Sequence, residues 1–184
     1  MRLYIIRHAK AAPAQSDCSP HPGGAEAAAD FDRELTDRGQ AQARFLAARF
    51  GREKIGVRTI VASRFPRALQ TAHFLQRPLA CDLRTDTRLE VDHPVSEALA
   101  VIKDHADERS LMLVGHNPQL GELISVLCSG LPPQELILKT GEMVVMDIRP
   151  AQPVGSGKLV DRARLSESAA DETIGSVETI TSRR

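Results

Sequence analysis

Three short apolar runs, each followed by a helical pattern, constrain the fold more than any other feature of this chain. The runs span Leu3 to Ile6, Thr59 to Ala62 and Leu111 to Val114. Strands that are apolar at nearly every position are typical of a sheet buried on both faces. Strands that alternate with helices form βαβ units and a mainly parallel sheet. We therefore predict an α/β fold, a three-layer sandwich with helices on both faces of the sheet.

The sequence also predicts four helices and two further strands. Thr36 suits the N-cap of a helix that runs to about Phe50, and Pro66 suits the first turn of the next helix. A third helix is predicted after Pro94, and Asn117-Pro118 is expected to cap a fourth. Met143 to Ile148 and, more weakly, Lys158 to Leu165 are the remaining strand candidates.

Length and composition predict a single domain over residues 1–165, with a mobile tail over residues 166–184. Ala11 to Asp32 has no usable period and is predicted to be a long loop. The 24 basic residues balance 24 acidic ones, so nothing attracts the chain to nucleic acid or to a membrane. The first apolar run is too short to predict a signal peptide, and no run predicts a transmembrane segment. The three cysteines, Cys18, Cys81 and Cys128, form no CxxC pair. A cytoplasmic location is expected.

Charged and polar residues follow each buried strand at the position where it ends. The first strand leads into Arg7-His8, the second into Ser63 to Arg67, and the third into Gly115 to Pro118. In an open α/β sheet, ligands bind beyond the carboxyl ends of the strands. We therefore expect two histidines and at least two arginines, with Arg64 left at the surface, to share one crevice.

Such a crevice suits a phosphoryl group. Guanidinium groups bind phosphate oxygens through paired hydrogen bonds, and two of the three loops run into helix N-termini, which favour an anion. Nearby positive charge lowers the pKa of a histidine and leaves one ring nitrogen free to attack phosphorus. The pattern thus predicts phosphoryl transfer through a histidine nucleophile, with no metal and no cofactor.

Other readings of the polar residues fit less well. No cysteine has an arginine six positions later, so the Cys-x5-Arg phosphatase loop is absent from the sequence. Asp30-Phe31-Asp32 superficially matches the Asp-x-Asp of aspartate-based phosphatases, but it lies in the predicted loop. The remaining histidines follow no strand end and are expected to face solvent: His21, His73, His93 and His105.

Four segments, in order over residues 1–130, resemble motifs of the histidine phosphatase superfamily. Arg7-His8-Ala9 is similar to its Arg-His-Gly signature, with Ala in place of Gly. Arg33 to Gly39 resembles its Leu-Thr-x-x-Gly segment with the upstream arginine, and Ser63 to Ala72 resembles its Ser-x-x-x-Arg-Ala-x-x-Thr-Ala motif. Gly115 to Pro118 resembles the second-histidine motif in the form common among SixA-type phosphohistidine phosphatases.

The resemblance implies a role for each matching residue. His8 would be the nucleophile, and Arg7, Arg67 and His116 would form the phosphate pocket. Arg33 and Ser63 would be further substrate-binding residues. The first motif lacks the second arginine of the histidine acid phosphatases, which argues against a secreted, phytase-like enzyme.

The general acid is where this sequence departs from the superfamily's sugar phosphatases. Those members carry an acidic residue after an Arg-Leu-x-Glu stretch. Here Arg88 to Asp92 is one residue out of step and lacks the Gly-x-x-Glu-Gly that usually follows. Glu90 or Asp92 is therefore only a candidate acid, and the SixA-type members resemble this chain in small size and in lacking a clear acid.

The sequence thus favours a phosphatase that hydrolyses phosphohistidine on a signalling or phosphotransfer protein. One alternative is a phosphomonoesterase of the same superfamily that acts on a small phosphorylated metabolite, with Glu90 or Asp92 as acid. Another is a non-catalytic module that binds phosphate. The presence of both His8 and His116 disfavours this last reading, because binding alone does not require a nucleophile.

Overall fold

The computed structural model describes residues 1–14, 30–130 and 136–165. These residues form a six-stranded sheet and four helices, with a short 3₁₀ turn at Thr87–Leu89. The elements are β1 (Arg2–Arg7), α1 (Asp37–Glu53), β2 (Thr59–Ala62), α2 (Pro66–Leu79), β3 (Asp82–Thr85), α3 (Val95–Asp104), β4 (Ser110–Gly115), α4 (Gln119–Ser129), β5 (Met143–Asp147) and β6 (Lys158–Ala163).

The sheet is mainly parallel, with strand order β3-β2-β4-β1-β5-β6. Strands β1 to β4 run parallel to one another, whereas β5 is antiparallel to both β1 and β6. The first strand and the fourth, which are far apart in sequence, are therefore direct neighbours at the centre. This adjacency brings the ends of two sequence motifs to one place.

Side-chain alternation along the central strands divides the core into two layers. Leu3 and Ile5 of β1 pack with α3 and α4 on one face of the sheet. Tyr4 and Ile6 of the same strand pack with α1 and α2 on the other face. Each fully buried aliphatic side chain contributes about 1.5–3 kcal/mol. The predicted three-layer sandwich is confirmed.

Two local features of the structure differ from what the sequence predicts. The edge strand β3 was not predicted, because its four residues are mostly exposed and polar and give no buried run. The Asn117-Pro118 pair precedes α4 as predicted, with Pro118 at the N-cap position, but no side chain caps the helix. The Asn117 side-chain amide instead donates to the carbonyl of Leu138 at 2.8 Å. Thr36 does cap α1, and Pro66 is the first residue of α2, as predicted.

Several expectations concern residues outside the described ranges. These are the predicted tail over residues 166–184, residues 15–29 of the long loop, Cys18 and His21. Within the described ranges, Cys81 and Cys128 are free thiols. None of the helices described has the length and apolar character needed to cross a lipid bilayer.

Candidate active site

The candidate site forms where β1, β2 and β4 end. In the β1–β4 pair Arg7 lies opposite Gly115, so His8 and His116 follow at adjacent positions of neighbouring strands. The His8 amide donates to the Gly115 carbonyl at 3.0 Å, and the Ser63 amide extends β2 towards β4 in the same way. The backbone hydrogen bonds between neighbouring strands therefore fix the backbone positions of His8, Ser63 and His116.

His8 is buried and neutral. Burial is the main cause that lowers the pKa of His8 to about 3, and the charges of Arg67, Arg7 and Arg33 lower it further, although the hydrogen bond with the Ala9 carbonyl opposes them. Positive charge, the cause expected from the sequence, is thus secondary to burial. The His8 Nδ1 lies 2.8 Å from that carbonyl oxygen, which can only accept. Nδ1 therefore carries the proton, and Nε2 keeps its lone pair.

Position 9 accommodates the alanine that replaces the signature glycine. The Ala9 side chain is fully buried and packs with Leu35 and Ala43 in a small apolar cluster. The Ala9 amide donates to the Thr71 hydroxyl at 3.0 Å. These contacts hold the loop that carries His8 against the first two helices.

His116 faces His8 across the site, with the ring centroids 5.0 Å apart. Its Nε2 lies 2.9 Å from the Ser63 Oγ, and the Phe65 ring packs edge-on with its centroid 5.1 Å away. Burial is again the main cause that lowers the pKa of His116, to about 2, and neighbouring His8 and the arginines add to it. Ser63 and Phe65 therefore orient a second neutral histidine towards the first.

Two arginines lie beside these rings. Arg67, in the first turn of α2, is only 3% exposed, and its guanidinium lies over the Phe65 ring at 4.7 Å from the centroid. Arg7 is half-buried and donates from Nη1 to the Leu138 carbonyl at 2.7 Å. Burial lowers the pKa of both guanidiniums, but arginine stays charged in proteins. The pocket therefore carries two fixed positive charges.

Three buried polar atoms at this site have no hydrogen-bond partner among the described residues. They are the Nε of Arg7, the Nε of Arg67 and the Nδ1 of His116. An unpartnered buried polar group costs about 1–3 kcal/mol, so native proteins pair almost all of them with protein, water or ligand. All three atoms belong to residues of the candidate site, and an oxyanion bound there would accept hydrogen bonds from the two arginine N–H groups.

Arg33 reaches the site through Asp30, which was predicted to be only a loop residue. Arg67 donates to Asp30 twice, from Nη1 to the backbone carbonyl at 2.5 Å and from Nη2 to Oδ2 at 2.9 Å. Arg33 donates to the other carboxylate oxygen of Asp30 at 2.8 Å and to the Ala12 carbonyl at 2.6 Å. Burial raises the pKa of Asp30, but the hydrogen bonds from Arg33 and Arg67 outweigh burial and lower it. An ionised carboxylate thus bridges two of the arginines.

The candidate acids lie apart from this cluster of contacts. Glu90 follows the 3₁₀ turn, and its carboxylate is held by Arg64, with Nε to Oε1 at 2.5 Å. Arg64 is exposed, as expected from the sequence. Asp92 is exposed and sits in a turn with φ of 67°. Neither carboxylate makes a hydrogen bond or ion pair to His8 or Arg67 within the described structure.

No group of three or more His, Cys, Asp or Glu side chains placed to hold a metal ion occurs in the described ranges. The chemistry these ranges do support is anion binding beside a neutral imidazole. The arginines supply charge and directed N–H donors, and His8 supplies a nitrogen lone pair.

Comparison with known proteins agrees with this geometry. The family model of the histidine phosphatase superfamily (branch 1) matches residues 3–109. An uncharacterized protein of Picosynechococcus sp. is 29% identical over 147 residues, which is 78% of this chain and 83% of that protein.

Solved structures share the fold. The protein histidine phosphatase SixA complexed with tungstate superposes with a TM-score of 0.71 at 22% identity, covering 88% of this chain and 96% of that chain. A SixA structure from Agrobacterium tumefaciens gives a TM-score of 0.67 at 26% identity over the same shares of both chains. A mycobacterial glucosyl-3-phosphoglycerate phosphatase with inorganic phosphate gives 0.64 at 18% identity, covering 86% of this chain and 95% of that chain.

The matched residues include His8, the helix-capping Thr36 and the third motif with Ser63 and Arg67. His116 lies beyond them in sequence, but it follows β4, the strand next to β1. The fold, the order of the motifs and the family model therefore lead to one conclusion. This chain belongs to the histidine phosphatase superfamily and is a SixA-like phosphatase.

Proposed function

We propose that this phosphatase hydrolyses phosphohistidine on a signalling or phosphotransfer protein through a covalent intermediate on His8. The observation that carries the proposal is the state of His8. Its proton is held on Nδ1 by the Ala9 carbonyl, so Nε2 offers a lone pair in a site where the Nε atoms of Arg7 and Arg67 have no partner among the described residues.

The proposed first step is an in-line displacement at phosphorus. The His8 Nε2 attacks, a new N–P bond forms, and the N–P bond to the substrate imidazole breaks. The departing imidazole keeps the electron pair of that bond and takes a proton from solvent. Arg7 and Arg67 stabilise the charge on the equatorial oxygens, for which their planar N–H donors are well suited.

The second step returns the enzyme to its starting state. Water attacks the phosphorus of phosphorylated His8, inorganic phosphate leaves with the oxygen of that water, and Nε2 regains its electron pair. Ser63 orients His116 towards the phosphoryl group. A metal ion has no part in this scheme, so assays with and without a chelator should give the same rate.

The state of Glu90 supports an imidazole leaving group over an alkoxide. An alkoxide requires a proton from the enzyme, and general acid catalysis contributes about 10²–10⁴-fold. Both Glu90 oxygens face Arg64, at 2.5 Å and 3.4 Å. An imidazole leaving group is protonated readily by solvent, so it depends much less on a positioned acid.

A second candidate is a phosphomonoesterase that acts on a small phosphorylated metabolite. It is favoured by the fold similarity to the glucosyl-3-phosphoglycerate phosphatase and by the position of Glu90 next to Arg64, which directly follows Ser63 in the third motif. In that case, opening of the Arg64–Glu90 pair would free the acid.

Turnover measurements on three substrates distinguish the two candidates. We expect kcat/KM to be highest for a phosphohistidine protein, intermediate for an activated aryl phosphate and lowest for a sugar phosphate. A higher value for the sugar phosphate, together with its loss in Glu90→Gln, would instead assign the small-molecule activity. A chain that binds phosphate but turns over none of the three would be a binding module.

A further inference from the structure

The cavity that contains His8 extends beyond the residues of the candidate site. Its volume is about 600 Å³, and His8 forms part of its wall. Among the described residues that line it none is acidic. Six cationic side chains line it: Arg7, Lys10, Arg33, Arg38, Lys139 and Arg164.

The cavity wall is built on rigid contacts. Thr36 caps α1, and its amide and hydroxyl both donate to the Lys10 carbonyl, at 3.0 Å and 3.1 Å. A side chain at Gly39 would meet that same carbonyl oxygen at 2.0 Å, which explains the glycine in this motif. The start of α1, including Arg38, is therefore locked against the segment that follows His8.

A second contact fixes the opposite wall. The Gln42 side chain accepts from the Lys10 amide at 2.9 Å. Gly141, with φ of 66°, packs so closely on Gln42 that an added Cβ would lie 2.8 Å from it. Gly141 follows Lys139 and Thr140, so the turn before β5 is held next to α1.

Arg33 is paired with Asp30, but three other cations of this cavity are not matched by an acidic side chain among the described residues. No carboxylate of the described residues lies within ion-pair distance of Lys10, Arg38 or Lys139. Like charges brought together in one cavity repel each other and destabilise the fold unless an anion joins them. Such an arrangement persists where the anion is part of the function.

We propose that the part of this cavity formed by Lys10, Arg38 and Lys139 is a second anion-binding subsite that takes the carboxylate side chains flanking the phosphohistidine of the protein substrate. The inference rests on the proposed function and specifies the partner. Lys10 and Lys139 are exposed and long, and they project from separate segments. Flexible ammonium groups suit several carboxylates of a protein surface better than one rigid metabolite, since Lys acts as a point charge and not as a planar fork.

Two synthetic phosphohistidine peptides of equal length test this subsite. One carries three Glu near the phosphohistidine, and the other carries three Gln at the same positions. At low ionic strength we expect kcat/KM to be at least about tenfold higher for the Glu peptide, mainly through a lower KM, and the difference to shrink as salt is added.

The double variant Lys10→Gln/Arg38→Gln should remove most of the preference for the Glu peptide. The matched control is Arg58→Gln/Arg84→Gln, which removes the same charge from exposed positions at the other end of the sheet and should leave the preference intact. Thermal unfolding of both double variants shows whether each is folded.

The alternative results of these assays would each refute a different claim. Equal kcat/KM for the two peptides would refute the subsite while leaving the phosphohistidine activity in place. Turnover of neither peptide would refute the proposed function itself. A stronger preference for a sugar bisphosphate over its monophosphate, lost in Lys10→Gln/Arg38→Gln, would assign the cavity to a metabolite and contradict the inference.

Discussion

The two ends of the central sheet carry similar numbers of arginines but use them differently. At the amino end, Arg58, Arg84 and Arg109 share a cavity of about 760 Å³ with Asp82, Asp107 and Glu108. At the carboxyl end, the cationic cavity beside His8 has no acidic lining residue among those described. The chain as a whole has no net charge, so composition hides this difference.

The histidines at the two ends of the sheet also differ in whether a carboxylate lies next to them. At the amino end, His105 is largely buried and its Nδ1 lies 2.8 Å from Glu108, which also accepts from the Thr59 hydroxyl. The expectation that His105 faces solvent is therefore wrong, whereas His73 is exposed as expected. At the carboxyl end, His8 and His116 have no carboxylate partner in the described structure. The amino-end histidine is thus held by a carboxylate within the fold, whereas the two carboxyl-end histidines face each other beside arginines.

The largest effect should come from His8→Ala. Without the Nε2 lone pair there is no covalent intermediate, and we expect the rate to fall by at least about 10⁴-fold. Single-turnover assays with a phosphohistidine peptide measure this directly. His105→Ala, at the other end of the sheet, is the comparison variant. Residual activity of His8→Ala within tenfold of the wild type would make His116 or water the nucleophile.

Arg67→Ala should have the next largest effect. We expect the rate to fall by about 10²–10³-fold, as for the loss of one oxyanion-stabilising donor. Arg67→Lys should recover only part of it, because an ammonium group cannot reproduce the planar two-point contact. Arg58→Ala should change the rate by less than about twofold. Full activity of Arg67→Lys would show that position 67 contributes only its positive charge and not a two-point hydrogen-bond contact.

The sequence predicted the parts of this site that depend on short, continuous signals. The buried runs of β1 and β4 are apolar throughout, so their ends could be located, and with them His8 and His116. Asp30 gave no such signal, because its contact with Arg67 spans 37 positions and arises only when the loop folds onto α2. The exposed strand β3 was missed for a related reason: an edge strand needs no apolar pattern.

The acid sensitivity of folding should reflect the two buried histidines. An unfolded histidine has a pKa of about 6.5, whereas the folded values are about 3 for His8 and about 2 for His116. Below a pH of about 6.5 the unfolded state therefore binds more protons than the folded state does. The free energy of unfolding should fall as the pH is lowered from about 6.5 towards the folded pKa values. The slope is up to about 1.4 kcal/mol per pH unit for each histidine.

Urea unfolding at several pH values between about 7.5 and 4 measures this slope. The slope should be smaller in His8→Ala and in His116→Ala than in the wild type. An identical slope in all three proteins would mean that the histidines are solvated and that the pocket is not closed as described.

Glu90→Gln should have a small effect on phosphohistidine hydrolysis, within about tenfold of the wild-type rate, because the imidazole leaving group does not depend on a positioned acid. The same variant assayed with a sugar phosphate is the matched measurement. Asp92→Asn, at the exposed turn, should behave similarly. A collapse of phosphohistidine turnover in Glu90→Gln would make the Arg64–Glu90 pair part of the catalytic machinery.

Asp30→Asn should have the smallest effect of these variants. Unlike the others, it should strengthen the interaction with phosphate instead of weakening catalysis. The Asp30 carboxylate competes with phosphate for the Arg67 guanidinium, so its neutralisation should tighten inhibition by inorganic phosphate about threefold to tenfold. Competitive inhibition constants measured with an aryl phosphate substrate would show this. Weaker inhibition in the variant would mean that Asp30 positions Arg67 instead of competing for it.

Identification of the phosphorylated residue during turnover tests the central claim most directly. The enzyme would be mixed briefly with a radiolabelled phosphohistidine peptide, quenched in base and mapped by mass spectrometry, with His8→Ala as control. We predict one label on His8, stable in base and lost in acid, and no label in the variant. A label on another residue such as Ser63, or rapid turnover with no labelled enzyme at any time, would contradict the account.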